Sequence, residues 1–192
     1  MIIFTKKKLI FIKTFKTAGT AIETELSAQL GSDDIQLPFG FGDERVEGKN
    51  YRRLRLGIRN LIASLRHPYV AFRIIAGHFL TGTPIINEHT DAECLTLFFP
   101  EYQNFTLVSI SRPNEEVNQS NYRMHQRRYN YDGSFDKFIQ QKGRICNNYF
   151  FKGRAGSFTC GRYEIFEYSR LAEAKNFFRQ QGLELSLQDR VN

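Results

Sequence analysis

Residues 9–26 read LIFIKTFKTAGTAIETEL, and the parsing of this stretch decides the fold. Positions 9–15 are apolar and β-rich, as a buried strand requires. TAIETELSAQL then places Ile22, Leu26 and Leu30 at i, i+4 and i+8 on one helix face, with Gly31 as a stop. Between strand and helix lies the tight turn KTAGT, residues 16–20. Such a turn aims backbone N–H groups and the positive helix end outward, which is how proteins hold phosphate. Gly19 lets the backbone approach an anion closely, beside Ala18. Thr17 and Thr20 offer hydroxyls and Lys16 a mobile cation. The nucleotide-triphosphatase loop GxxxxGK[ST] needs its glycine ahead of the lysine, whereas here Lys and Thr come first and Gly follows. The bland alternative is a tight strand-to-helix turn carrying an exposed lysine.

Outward from this unit, strands and helices alternate. YRRLRLGIRNLIASL (51–65) sets cationic and aliphatic residues at helical spacing and predicts a basic amphipathic helix. YVAFRIIAGHF (69–79) reads as a second strand ending at Gly77-His78, and DAECLTLFFPEY (91–102) as a short helix stopped at Pro100. FTLVSISR (105–112) is the third strand, followed by a helix from Asn114 to Arg128. SFDKFIQQK (134–142) predicts a helix capped by Ser134. YEIFEY (163–168) reads as a strand, and Ser169 as the cap of a helix ending at Gly182. This order predicts an α/β fold, a three-layer sandwich around a central parallel sheet, in a single domain over residues 1–192.

The net charge of +7 favours anionic partners such as phosphates, sulfated glycans, nucleic acid or acidic membrane. No run of about 18 apolar residues exists, so no spanning helix is expected. The apolar run after Lys6–Lys8 is broken by Lys13 and Lys16 and has no small-residue cleavage site, unlike a signal peptide. Cys94, Cys146 and Cys160 are odd in number and show no CxxC spacing; free thiols in a reducing cytoplasm are expected, with a Cys146–Cys160 bridge left open. His67, His89 and His125 lack metal-ligand spacing, and no metal is expected.

Two motifs resemble those of the sulfotransferases that use 3′-phosphoadenosine 5′-phosphosulfate (PAPS), above all the carbohydrate and heparan-sulfate types. Their 5′-phosphosulfate loop is a strand, then PKTGGTS or a near variant, then a helix. This chain has FKTAGTA (15–21), with Phe15 for the proline and Ala18 for the first glycine. The family's second landmark is an arginine at a strand end with a serine eight residues on, and VSISRPNEEVNQSNY (108–122) supplies Arg112 and Ser120. Pro113 follows that arginine directly, where the family usually has Asp or Asn between, and Val117 stands where an arginine is common. LFFPEYQNFTLVSISR and YEIFEYSRLAEAKNFFRQQGLE echo the family more loosely, so the likeness is sparse but covers most of the chain.

The resemblance implies a P-loop-like sulfotransferase fold, with Lys16, Thr17, Ala18, Gly19 and Thr20 on the 5′-phosphosulfate and Arg112 and Ser120 clamping the 3′-phosphate. Independently, an arginine at a strand's carboxyl end sits where open α/β sheets bind ligands, and Ser120 lies about two helical turns further on. Lys16 carries the family's role of stabilising charge on the bridging oxygen as the product nucleotide, 3′,5′-ADP (PAP), leaves. His78 resembles the histidine that serves heparan-sulfate-type members as base, and a strand end would bring it to the same edge. Other members use a glutamate, so Glu88, Glu93 and the acidic residues of 43–47 stay open.

The implied acceptor is a carbohydrate or another hydroxyl- or amine-bearing molecule, an anionic one suiting the charge. Its contacts are expected from loops 32–50, 80–92 and 129–160. Neither nucleic-acid binding nor stable membrane insertion is expected. The location is cytoplasmic or, alternatively, that of a lumenal catalytic fragment. Arg52, Arg53, Arg55 and Arg59, and then Arg123, Arg127 and Arg128, read as solvated helix faces or as anion-steering groups. Two other readings stand beside the transferase. One is a P-loop-class nucleotide or phosphate kinase. The other is a degenerate polyanion-binding module, since the chain stops at SLQDRVN where relatives continue and reads as compact or C-terminally truncated.

Overall fold

A computed structural model describes residues 1–40, 45–55, 57–81, 86–87, 89–146 and 162–186. The side chains of Ala63, Val70, His78 and Thr81 lie outside that description. The chain opens with an antiparallel hairpin of β1 (Ile2–Phe4) and β2 (Leu9–Ile12), in register Ile2 with Phe11 and Phe4 with Leu9. Thr5–Lys8 makes its turn, with Lys8 at φ 50° and its N–H on the Thr5 carbonyl at 3.3 Å. MIIF is too short to declare a period on its own, and pairing with β2 makes it a strand. From β2 the chain turns into α1 (Gly19–Ser27), then adds the short β3 (Ile35–Gln36) to the far side of β1.

A 3-10 turn (Tyr51–Leu54), α2 (Ile58–Ser64), α3 (Pro68–Thr81) and α4 (Ala92–Phe98) lead to β4 (Thr106–Ser111). α5 (Asn114–Tyr129), α6 (Phe135–Lys142), β5 (Arg162–Glu167) and α7 (Leu171–Gln180) complete the described order. β4 lies parallel to β2 and β5 parallel to β4, and the strand order is β3-β1-β2-β4-β5. The sheet is therefore mixed rather than wholly parallel: β2, β4 and β5 are parallel, while β1 folds back on β2 as a hairpin.

Strand alternation splits the core between two faces. Ile10 and Ile12 of β2 join Leu107 of β4 and, from the helices, Ala71, Leu95 and Phe98 on one side. Leu9 and Phe11 join Val108, Ile110, Ile22, Leu26 and Phe178 on the other. Helices thus cover both faces of an α/β sheet, each large buried side chain contributing about 1.5–3 kcal/mol.

Three sequence expectations are corrected. YVAFRIIAGHF is helical, not a strand: Pro68 suits the first helical position, and Ala71, Ile74 and Ile75 meet the core at i, i+3 and i+4. A short apolar run serves either element, and here helical packing decides it. The basic helix of 51–65 is split into the 3-10 turn and α2, since Arg55 is extended at ψ 133° and the Gly57 N–H is held by Asn60 Oδ1 at 2.9 Å. Ser169 does not cap α7. It sits in a 3-10 turn with its hydroxyl 3.4 Å from Glu167, and the helix starts at Leu171. Gly182, at φ 67°, does end that helix: its N–H reaches the Arg179 carbonyl and that of Leu183 the Phe178 carbonyl.

Candidate functional site

The parallel strands β2, β4 and β5 deliver three loops to one carboxyl edge, the edge that binds ligands in open α/β sheets. The first is the turn of residues 13–18. Lys16 and Ala18 are both left-handed, at φ 59° and 57°, conformations that L-residues adopt at a cost. Ala18 is the N-cap of α1 and makes no side-chain cap bond; its carbonyl accepts from Ile22 N–H, which leaves the N–H groups of Gly19, Thr20 and Ala21 outside the helical ladder. No acidic residue lies in that first turn. Gly19 is required by space rather than by φ: a Cβ there would meet Lys13 Cγ at 2.7 Å. Lys13 runs beneath the turn, its ammonium buried 3.1 Å from the buried carboxylate of Glu23.

The threonines divide. Thr20 is exposed at the helix start. Thr17 is buried, its hydroxyl 2.7 Å from that of Thr14, which donates to the Ile110 carbonyl of β4 at 2.5 Å. With the Thr14 proton spent on Ile110, Thr17 is the donor of the pair. Its hydroxyl thus pins the turn to the neighbouring strand, and only its backbone remains for a ligand.

The second loop follows β4. Arg112 bends back over the turn: Nη1 donates to the Lys16 carbonyl at 3.3 Å, Nε to Glu116 at 2.9 Å, and the guanidinium lies 4.6 Å over the Tyr168 ring. It lines a cleft of about 450 Å³ with Pro113, Asn114, Glu167, Tyr168 and Ser169. Ser120, in the second turn of α5, faces a different cleft of about 490 Å³ shared with Lys16, Met124, Arg127 and Arg128. Both residues sit against the turn: Ser120 shares the Lys16 cleft, while Arg112 lines the other cleft and holds the Lys16 carbonyl. Val117 is fully buried, packing α5 down where the resemblance would place an arginine.

Charge in the Lys16 cleft is one-sided. Burial first, then the guanidinium groups of Arg127 and Arg112, hold the Lys16 ammonium below the usual lysine value. The His125 ring, packed on Tyr129 and Phe138 at 4.9 and 5.0 Å, is also held below its usual range by desolvation, then by Lys142 and Lys16. An anion entering this cleft would relieve that repulsion.

The base candidates fare differently. His78 lies within α3 rather than at a strand end, so the placement that brought it to the ligand edge is lost. Glu93 is buried in the first turn of α4. Glu47 is exposed, while Asp43, Glu44 and Glu88 lie outside the described residues, as does Cys160; Cys146 is a free thiol. His89 is the histidine that sequence reasoning missed. Its ring stacks on Phe15 at 4.0 Å with Nδ1 3.5 Å from the Lys13 carbonyl, against the flank of the turn. No local signal announces this, because the contact spans more than 70 residues. Among the described residues no cluster of His, Cys, Asp or Glu could hold a metal ion. The chain matches no protein-family model, no curated protein and no solved structure.

Proposed function

We propose that the Lys16 cleft binds a phosphate-bearing sulfuryl donor and that the protein is a PAPS-dependent sulfotransferase. The observation carrying this reading is the convergence of Lys16, Ser120 and Arg127 beside the strained turn at the head of α1. In the proposed reaction an acceptor oxygen attacks the donor sulfur, and the bond from sulfur to the bridging phosphate oxygen breaks. Its electron pair leaves on PAP, and the acceptor proton passes to a base. Lys16 hydrogen-bonds the bridging oxygen as its charge develops. Thr20 and the backbone N–H groups of residues 17–20 hold the 5′-phosphosulfate, and Ser120 with the α5 arginines the second phosphate. Arg112 supports this arrangement by holding the Lys16 carbonyl. His89, stacked on Phe15 at the turn, becomes the first base to test.

The acceptor is a carbohydrate or another hydroxyl- or amine-bearing molecule. Segment 32–50, expected to contact it, lines a cleft of about 840 Å³ through Arg45 and Glu47 among others, with Arg52 and Arg53; three guanidinium groups against one carboxylate suit an anionic acceptor.

A thermal-shift titration with PAP tests the reading. At ligand a hundredfold above Kd, PAP should stabilise by about 2.7 kcal/mol, a rise of roughly 5–10 °C in Tm for a chain of this size. Stabilisation by magnesium-ATP with no response to PAP would overturn it in favour of a kinase. One observation favours a second reading, a polyanion-binding module without transfer: Arg112 is already engaged by Glu116, Lys16 and Tyr168. Retention on heparin with no response to PAP would mark that case.

A further inference from the structure

α2 is folded inside out. Two of its polar residues face the protein: Asn60 Nδ2 donates to the Phe98 carbonyl at 2.7 Å, and Ser64 is buried. Its aliphatic residues Ile58, Leu61 and Ile62, at i, i+3 and i+4, face out, as does Leu65 just past its end. α3 repeats the arrangement on its outer side. Ala71, Ile74 and Ile75 meet the core, while Tyr69, Phe72 and Leu80 project outward. Ile58, Ile62, Leu65, Tyr69, Phe72 and Leu80 are 59–85% exposed, a display across two helices far beyond the scattered apolar residues of an ordinary surface.

The same segment is one-signed in charge. Between Gly48 and Asn87 the chain has seven Lys and Arg residues and no Asp or Glu. Arg55, Arg59, Arg66 and Arg73 are exposed among the projecting side chains. Neither helix is long and apolar enough to cross a membrane. An outward apolar stripe flanked by unopposed cations is the composition of a helix that lies in the plane of an anionic bilayer surface, its aliphatic and aromatic groups below the headgroups and its arginines among them.

We infer that α2 and α3 form an interfacial binding surface for anionic lipid membranes, independently of the chemistry proposed at Lys16. A second copy of the chain fits this face less well, because pairing identical acid-free faces sets cation against cation. Nucleic acid would satisfy the arginines but leave Ile58, Ile62, Leu65 and Leu80 without apolar cover.

Flotation of the full chain with vesicles tests the assignment. The protein should float with vesicles of phosphatidylcholine and phosphatidylserine mixed three to one, stay behind with phosphatidylcholine alone, and detach as salt screens the attraction. Each of Arg59→Gln and Arg66→Gln should weaken partitioning about fivefold. Ile62→Glu/Phe72→Glu should abolish it with circular dichroism and melting unchanged. The chain has no Trp, so Phe72→Trp gives a single reporter whose emission should shift blue on the anionic vesicles and be quenched by brominated lipid. Failure to float at low salt overturns the inference, as does flotation of the Phe72→Trp variant with its indole emission unshifted. A concentration-dependent dimer lost in Ile62→Glu/Phe72→Glu, without vesicle binding, would assign the face to self-association instead.

Discussion

Ala18 stands at φ 57° with a Cβ that the left-handed region resists, and Lys16 two residues earlier does the same at φ 59°. The turn therefore stores strain, released at position 18 by a glycine. Ala18→Gly should raise stability by about 0.5–1 kcal/mol, net of the entropy glycine adds to the unfolded chain, and Tm by about 1–4 °C. Lys16 is costly in the unliganded protein for a different reason. Burial and the nearby guanidinium groups disfavour its charge, so the folded state binds that proton less well than the unfolded chain. The penalty is present at neutral pH and fades as pH rises through the lowered pKa, so this residue makes the unliganded protein more stable towards alkaline pH. Lys16→Gln should leave the unliganded Tm unchanged or slightly higher while abolishing the PAP response. In the wild type an anion favours the charged form and restores the pKa, so PAP binding should take up protons and weaken as pH climbs past the unliganded value. Calorimetry in buffers of differing ionisation heat would measure the uptake; binding that strengthens with pH would exclude Lys16 from the site.

At the scale of elements, caps separate what the sequence states from what packing decides. Asp91 accepts from Cys94 N–H at 2.6 Å and starts α4, and Ser134 accepts from Lys137 N–H at 3.3 Å and starts α6 as expected. Ser169 makes no such bond. Asp91→Ala should cost about 1 kcal/mol and lower Tm by about 2–4 °C, whereas Ser169→Ala should be near neutral, both read by thermal melts. The α1, α4, α5 and α6 spans and the strands β2, β4 and β5 were legible because each carries a local signature: period, cap or breaker. α3 was not, because YVAFRIIAGHF is rich in aromatic and β-branched residues that suit either element. β1 and β3 are three and two residues long, and only their pairing makes them strands.

Across the whole molecule, the buried Lys13–Glu23 pair ties the turn to α1 beneath the candidate site. Glu23 also holds the buried N-terminal ammonium of Met1, so its one carboxylate balances two buried cations. Glu23→Gln should therefore lose roughly 3–5 kcal/mol in urea unfolding, and Lys13→Met in the same chain should recover part of that loss. A loss below about 1 kcal/mol would show the pair to be exposed to water in solution. The α2–α3 face acts at this scale too. Its outward apolar residues are largely exposed, so their replacement should change surface association and leave the melt nearly unaltered.

By itself the sequence determined the strand–turn–helix of residues 9–26, the α/β alternation around it, and the presence of Arg112 and Ser120 at the following strand-to-helix junction. These are local matters of period, turn chemistry and spacing. Tertiary structure decided the rest. It turned Thr17 inward onto Thr14, tied Arg112 to the Lys16 carbonyl, and brought Arg127 to Lys16. It also brought His89 to Phe15 and placed the 58–80 apolar stripes outward. Each of these depends on which distant segments share a face of the sheet, a choice made by burial of the whole chain and carried by no single stretch of it.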